Sequence, residues 1–237
     1  MRIISRGHYG RFVSTGLRKV RNGLRVLASR ARRVALRVRR THANPYATHL
    51  PVLSAVASVI KVRSVLELGS GPFSTSLFLD RRMFPDLEKL TSYEDDPSWA
   101  AAVTERVGTD PRLDFRVVES VSHSVPADVG DYDLVFIDDS RLTVERTQTI
   151  ESVAAMAPKG LVAIHDFELR SYRHAAKVFD HRRIFRTFTP QVGFCWFGDT
   201  CEAQQWKNVA TMVEAGSHLD PTDQDAWLAH LERQGMQ

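Results

Sequence analysis

The chain has 237 residues, 43% hydrophobic and 25% charged, which is enough to bury one substantial core and short for two independent domains. No stretch of about 18 apolar residues occurs, so a membrane-spanning helix is excluded. The net charge of +4 is divided: residues 1–40 hold 13 Lys/Arg and no acid, leaving 19 basic and 28 acidic residues for the rest, a balance that argues against a nucleic-acid-binding body.

Residues 1–16 show no period and read as a loose arm. From Leu17 onward, Leu17, Val20, Leu24, Leu27, Ala31, Val34 and Val38 recur at steps of three and four, which predicts a basic amphipathic helix over 17–40. Such a helix suits an anionic membrane surface, packing on its own domain or a partner chain or, less well, nucleic acid, because aromatic residues for base stacking are scarce. The N-terminus lacks the apolar segment of a secretory signal, while an Arg-rich, acid-free leader also matches an organellar transit peptide. Asn44-Pro45 breaks the helix. Three segments result: a basic arm over 1–43, a core domain over 44–198 and an acidic, partly helical tail over 199–237.

Within the core, Pro51–Ile60 reads as a short buried helix and Ser64–Leu68 as a strand, followed by Gly69-Ser70-Gly71 and a helix to about Arg82. Leu90–Glu94, Leu113–Val118, Tyr132–Asp138 and Leu161–Ile164 read as further strands, with helices over Pro97–Val107 and Leu142–Ala157 between them. Ile184–Phe188 and Gly193–Phe197 suggest a closing antiparallel hairpin, with Phe194 and Trp196 in the core, and Asp225–Arg233 a late helix. Apolar strands alternating with helices imply a parallel sheet covered on both faces, whose ligands bind beyond the carboxyl ends of the strands. Cys195 and Cys201 have neither disulfide-framework nor zinc-site spacing, fit a reducing compartment and read as bystander thiols.

Chemistry-bearing residues gather at those strand ends. Glycines directly after a strand let the backbone approach a ligand, but Ser74 stands where a dinucleotide fingerprint would have its third glycine. Glu67, two residues before Gly69, suits a ligand with an amino or cationic group, and Glu94 can accept both hydroxyls of a ribose, with Asp95 and Asp96 beside it. His165 is a natural base at neutral pH, and Asp138, Asp139 and Asp166 would orient or assist it. Strand alternation sends His165 and Asp166 to opposite faces. His49, and less so His42, lie just ahead of the core as pocket candidates, whereas Arg141 and Arg146 fit a solvated helix face better than an anion clamp.

These motifs resemble the class I S-adenosylmethionine-dependent methyltransferases over about Pro45 to Phe197. Glu67-Leu-Gly-Ser-Gly looks like that family's first-strand E/D-x-G-x-G motif, with Phe73 in place of its third glycine, and Glu94 matches its ribose-binding acid. Tyr132-Asp-Leu-Val-Phe-Ile-Asp-Asp resembles its fourth-strand motif, and Ala157-Pro-Lys-Gly-Leu-Val-Ala-Ile-His-Asp its turn and fifth strand. The resemblance implies an α/β Rossmann-like fold with a mostly parallel seven-stranded sheet ending in an antiparallel hairpin. It further implies S-adenosylmethionine held by Glu67, Gly69, Ser70, Gly71, Glu94, Asp95 and Asp138, with His165, Asp138, Asp139 and Asp166 around the acceptor.

Within the class, the chain looks most like small-molecule O-methyltransferases of the catechol and antibiotic- or sugar-tailoring type. That likeness implies Mg2+ held by Asp138 and Asp166, although Phe167 replaces the usual Asn. The expected acceptor is a small molecule, sugar or glycolipid, and the expected place cytoplasmic or peripheral at the inner membrane surface, with a homo-oligomer open. RNA methylation, aminopropyl transfer and a non-catalytic nucleoside-binding module are rivals on the same fold.

Overall fold

The computed structural model describes residues 44–140, 142–199 and 202–235. The basic arm and its helix, His42, Arg141 and Cys201 lie outside the described residues. A short 3-10 turn, Pro45–Ala47, leads into α1 (Leu50–Ala57). The alternation then runs β1 (Ser64–Leu68), α2 (Ser74–Leu79), β2 (Lys89–Glu94), α3 (Pro97–Val107), β3 (Leu113–Val117), β4 (Leu134–Ile137), α4 (Thr143–Ala155) and β5 (Leu161–Ile164). It closes with α5 (Arg170–Ala175), β6 (His181–Phe185), β7 (Val192–Trp196), α6 (Ala203–Ala215) and α7 (Gln224–Arg233).

The seven strands form one sheet in the order β3-β2-β1-β4-β5-β7-β6. The first five strands pair in parallel, and β7 runs antiparallel to both β5 and β6. This is the Rossmann-like arrangement expected from the sequence. The chain builds outward from β1 through β2 to β3, then crosses back to lay β4 on the other side of β1. The crevice beyond β1 and β4 is therefore the topological switch point, where such sheets bind ligands.

Period-two alternation feeds both faces of the sheet. Val65, Leu134, Phe136 and Phe194 pack with α1, α2, α6 and α7, while Leu66, Leu68, Val135, Ile137, Val162 and Ile164 pack with α4 and α5. Cys195 belongs to the second cluster, and burial pushes its thiol up to about 12, so it is an unreactive core residue.

Two elements and the C-terminal segment differ from expectation for local reasons. Helix α2 stops at Leu79 rather than near Arg82, because Asp80 leaves helical geometry and its carboxylate takes the Arg82 backbone N–H and guanidinium. Strand β6 lies three residues earlier than Ile184–Phe188, since it is an edge strand whose His181, Arg182 and Arg183 are exposed and carry no apolar alternation. The 199–237 segment is more than a tail. Trp206 stacks on Trp196 at 5.0 Å, and Trp227 is only 1% exposed, so α6 and α7 complete one of the two core layers.

Candidate functional site

A cavity of about 710 Å³ opens at the switch point. Gly69, Ser70, Gly71, Glu94, Asp95, Asp138, Asp139, His165 and Asp166 all line it. Four strand ends from distant parts of the sequence therefore converge as the topology predicts.

The turn after β1 fixes the floor. Gly69 has φ +92°, and a Cβ there would stand 2.4 Å from the backbone of Asp139. Only glycine lets the β1 turn lie this close to the end of β4. Ser70 then donates both its backbone N–H and its hydroxyl to Glu94 Oε2, at 3.1 and 2.9 Å. Glu94 Oε1 accepts the N–H groups of Asp95 and Asp96 at 3.1 and 2.9 Å. Four donors thus aim the carboxylate along the cavity wall, while burial works in the opposite direction and raises its pKa. Asp96 also caps α3, accepting from Ser98 and Trp99, and the Trp99 indole donates to Ser70 O at 2.8 Å. Trp99 lines the cavity beside the glycine turn. Its place, just after an acidic strand end and a helix cap, was the only signal the sequence offered for it.

Glu67 is a correction. Its side chain is 0% exposed and does not reach the cavity. Thr75 and Ser92 donate to its Oε2 at 2.8 and 2.6 Å, while Oε1 has no hydrogen-bond partner. Burial raises its pKa to about 7. Glu67 thus braces the glycine turn against α2 and β2 from below rather than meeting a ligand's amino group.

The other wall carries the titratable groups. His165, at the end of β5, has Nδ1 3.1 Å from Asp138 and Nε2 3.0 Å from the Thr48 hydroxyl. Burial disfavours the charged ring, but Asp138 outweighs it and raises the His165 pKa. Burial works to raise the Asp138 pKa, yet His165 and Arg146 hold it down at about 2. The expectation that His165 and Asp166 face opposite ways fails because β5 ends at Ile164. Asp166 turns into the left-handed region at φ +54°, which an aspartate tolerates, and both side chains line one cavity.

Arg146 was expected on a solvated face and is instead buried. Its Nη1 lies 3.0 Å from Asp138 Oδ1 and 2.8 Å from Asp166 Oδ2, and its Nε donates to the Asp139 carbonyl at 2.6 Å. The expected Mg2+ site at Asp138 and Asp166 does not fit, since the guanidinium already stands between the two carboxylates and bonds both. Asp139 is also turned inward. Thr149 donates to its Oδ2, and burial raises its pKa to about 7, so it belongs to the packing beneath the wall more than to the cavity.

His49, at the N-terminus of α1, is the residue that sequence reasoning placed most loosely. It is 2% exposed, lines the cavity, and neither ring nitrogen has a partner. Its ring packs edge-on to His165 at 4.8 Å and against Phe136 at 4.9 Å. Burial, then the neighbouring His165, lowers its pKa to about 3, leaving a neutral imidazole. The neighbouring Thr48, which fixes His165, carried no signal beyond its place in the Thr48-His49-Leu50-Pro51 segment.

No family model matches the sequence, and no curated protein matches it. Among solved structures, human methyltransferase-like protein 13 in complex with SAH is similar at 16% identity and a TM-score of 0.53, over 73% of this chain and 93% of that one. The N-methyltransferase NodS from Bradyrhizobium japonicum WM9 is similar at 15% identity and a TM-score of 0.47, over 65% and 98% of the two chains. An O-methyltransferase family protein from Burkholderia thailandensis is similar at 15% identity and a TM-score of 0.43, over 64% and 57%. The likeness to the human protein shows the fold: this chain has the Rossmann-like architecture of the class I S-adenosylmethionine-dependent methyltransferases.

Proposed function

We propose that the chain is an S-adenosylmethionine-dependent methyltransferase that transfers the methyl group to an oxygen of a small molecule, sugar or lipid-linked glycan. The observation that carries the reading is the pairing of Ser70 with Glu94 over the glycine turn. It presents a carboxylate beside closely approaching backbone, which suits a ribose next to an amino-acid-bearing sulfonium, and Trp99 adds an aromatic wall. The bound cofactor would supply an electrophilic methyl group.

The chain's own residues supply positioning and a place for the proton released when a hydroxyl is methylated. Thr48 Oγ faces His165 Nε2 at 3.0 Å, and the Nδ1–H, assigned from its ionised partner, donates to the Asp138 carboxylate at 3.1 Å. An acceptor hydroxyl bonded to Asp138 would give its proton to that carboxylate as the new O–C bond forms. His165 and Arg146 orient Asp138 and hold it ionised until then.

Calorimetry with S-adenosylhomocysteine tests the cofactor. Binding to the wild type, weakened about 10- to 100-fold in Glu94→Ala and absent with NAD, is the expected result, since hydrogen bonds to a charged group contribute about 1.5–3 kcal/mol. No binding, or equal binding in the variant, overturns the reading. The 13 basic residues of the first 40 would hold the enzyme at an anionic membrane carrying its acceptor. Deleting residues 1–40 should abolish sedimentation with phosphatidylserine vesicles, and unchanged sedimentation removes that role.

A further inference from the structure

We propose that His49, Asp138 and His165 form a binding site for a divalent transition-metal ion of the zinc class, facing the cavity. One donor atom from each of the three residues lies within 4.8 Å of the others. His165 Nδ1 stands 3.1 Å from both oxygens of Asp138. Ligand atoms around a bound zinc ion stand about 3–3.5 Å apart, given bonds of about 2.0–2.2 Å, so this pair is already at coordinating separation. Closing the set takes a movement of the His49 ring on the order of 1 Å.

One feature of the wall is unexplained by the protein alone: His49 has both ring nitrogens buried without a partner. His165 Nδ1 and Asp138 hold a proton between them across 3.1 Å, and a cation among the three residues would replace that proton and take one His49 nitrogen.

The donor set fixes the class of ion. Two imidazole nitrogens and one carboxylate oxygen suit Zn2+, Co2+ or Fe2+, whereas Mg2+ prefers an all-oxygen shell. Arg146 engages Asp138 Oδ1 at 3.0 Å, which leaves Oδ2 for the ion. The Thr48 hydroxyl on His165 Nε2 is the outer hydrogen bond that orients a ligating imidazole. Three protein ligands leave the remaining positions open to the cavity, where an acceptor oxygen would bind in place of water.

The site stands independently of the methyltransferase reading, and its test reads metal rather than turnover. The full chain, stripped with a chelator, is titrated with Co2+ and followed by visible absorption, then competed with Zn2+. One equivalent of Co2+, displaced by Zn2+ but not by millimolar Mg2+, is expected. His49→Ala and His165→Gln should each weaken binding on the order of 100-fold, while Asp166→Asn leaves it unchanged. If the alanine variant fails to fold by circular dichroism, His49→Gln keeps the ring volume and serves instead. Absence of a Co2+ spectrum in the wild type, or binding that survives the His49 variant, overturns the proposal and leaves a proton as the species shared by His165 and Asp138. S-adenosylhomocysteine binding to the stripped protein is unaffected by either outcome, so the two readings fail separately.

Discussion

Arg146 and Asp166 meet at 2.8 Å across the end of the sheet, and the same guanidinium nitrogen lies 3.0 Å from Asp138. One buried cation from α4 thus ties the ends of β4 and β5 together. Taking the guanidinium away would leave Asp166 without its ion-pair partner and Asp138 with His165 as its remaining one. Arg146→Ala is therefore expected to cost about 3–5 kcal/mol in urea unfolding, the usual result of removing one partner from a buried ionic cluster. Asp166→Asn should cost under about 1 kcal/mol, because that carboxylate is partly solvated. Equal losses in the two variants would contradict the arrangement.

Gly69 and Gly108 separate collision from backbone preference. Both have positive φ, but a Cβ at Gly108 meets nothing within 4 Å, whereas one at Gly69 strikes Asp139 backbone at 2.4 Å. Gly108→Ala should cost about 1–2 kcal/mol for its left-handed backbone alone. Gly69→Ala should cost clearly more and should also abolish S-adenosylhomocysteine binding, because the turn must lift away from β4. Thermal unfolding and calorimetry on both variants check this.

Glu67 predicts a pH dependence of stability. Its carboxyl is pushed by burial from 4.5 to about 7, so between those values the folded chain holds a proton that the unfolded chain has released. Folding stability contributed by this group is complete below about pH 4.5, falls as pH rises to about 7, and stays reduced above it. The span corresponds to roughly 3 kcal/mol at about 1.4 kcal/mol per unit. Glu67→Gln keeps an oxygen for Thr75 and Ser92 without the titration. Its stability relative to wild type should therefore rise between pH 4.5 and 7; a difference flat in pH would show that the carboxyl is not held neutral.

Trp227 tests whether α7 belongs to the core. It packs against Phe188 at 6.0 Å, and its indole donates to Asp220 O at 3.0 Å. Trp227→Ala is expected to cost about 3–5 kcal/mol, as for other fully buried tryptophans. A loss under about 1 kcal/mol would mean that the helix rests on the domain without stabilising it.

Much of the architecture was readable because buried parallel strands are short apolar runs. Ser64–Leu68, Leu161–Ile164 and Pro97–Val107 appear with the bounds read from the sequence. Strand β6 was misplaced because an edge strand need not be apolar on either face. In the site, the glycine turn, Glu94 and the acid-histidine strand ends were legible, since topology alone brings strand ends together. Arg146 was not, because a charged residue on a helix looks the same whether it meets water or a cluster of carboxylates at the strand ends. Glu67 misled for the opposite reason: proximity to glycines in sequence says nothing about which side of the strand a carboxylate occupies.

The bond between Thr48 and His165 joins residues 117 apart. Closing a loop of that length costs roughly 4 kcal/mol of chain entropy. The strands β1, β2 and β3 pair over much shorter separations, so a folding chain would acquire its sheet well before its reactive wall. The wall is also what a destabilised chain would release first, with the sheet still intact. Loss of the proposed S-adenosylhomocysteine binding on heating or in mild denaturant should then precede loss of β-structure, and the interval between the two transitions would measure how loosely the wall is tethered to the scaffold that carries it.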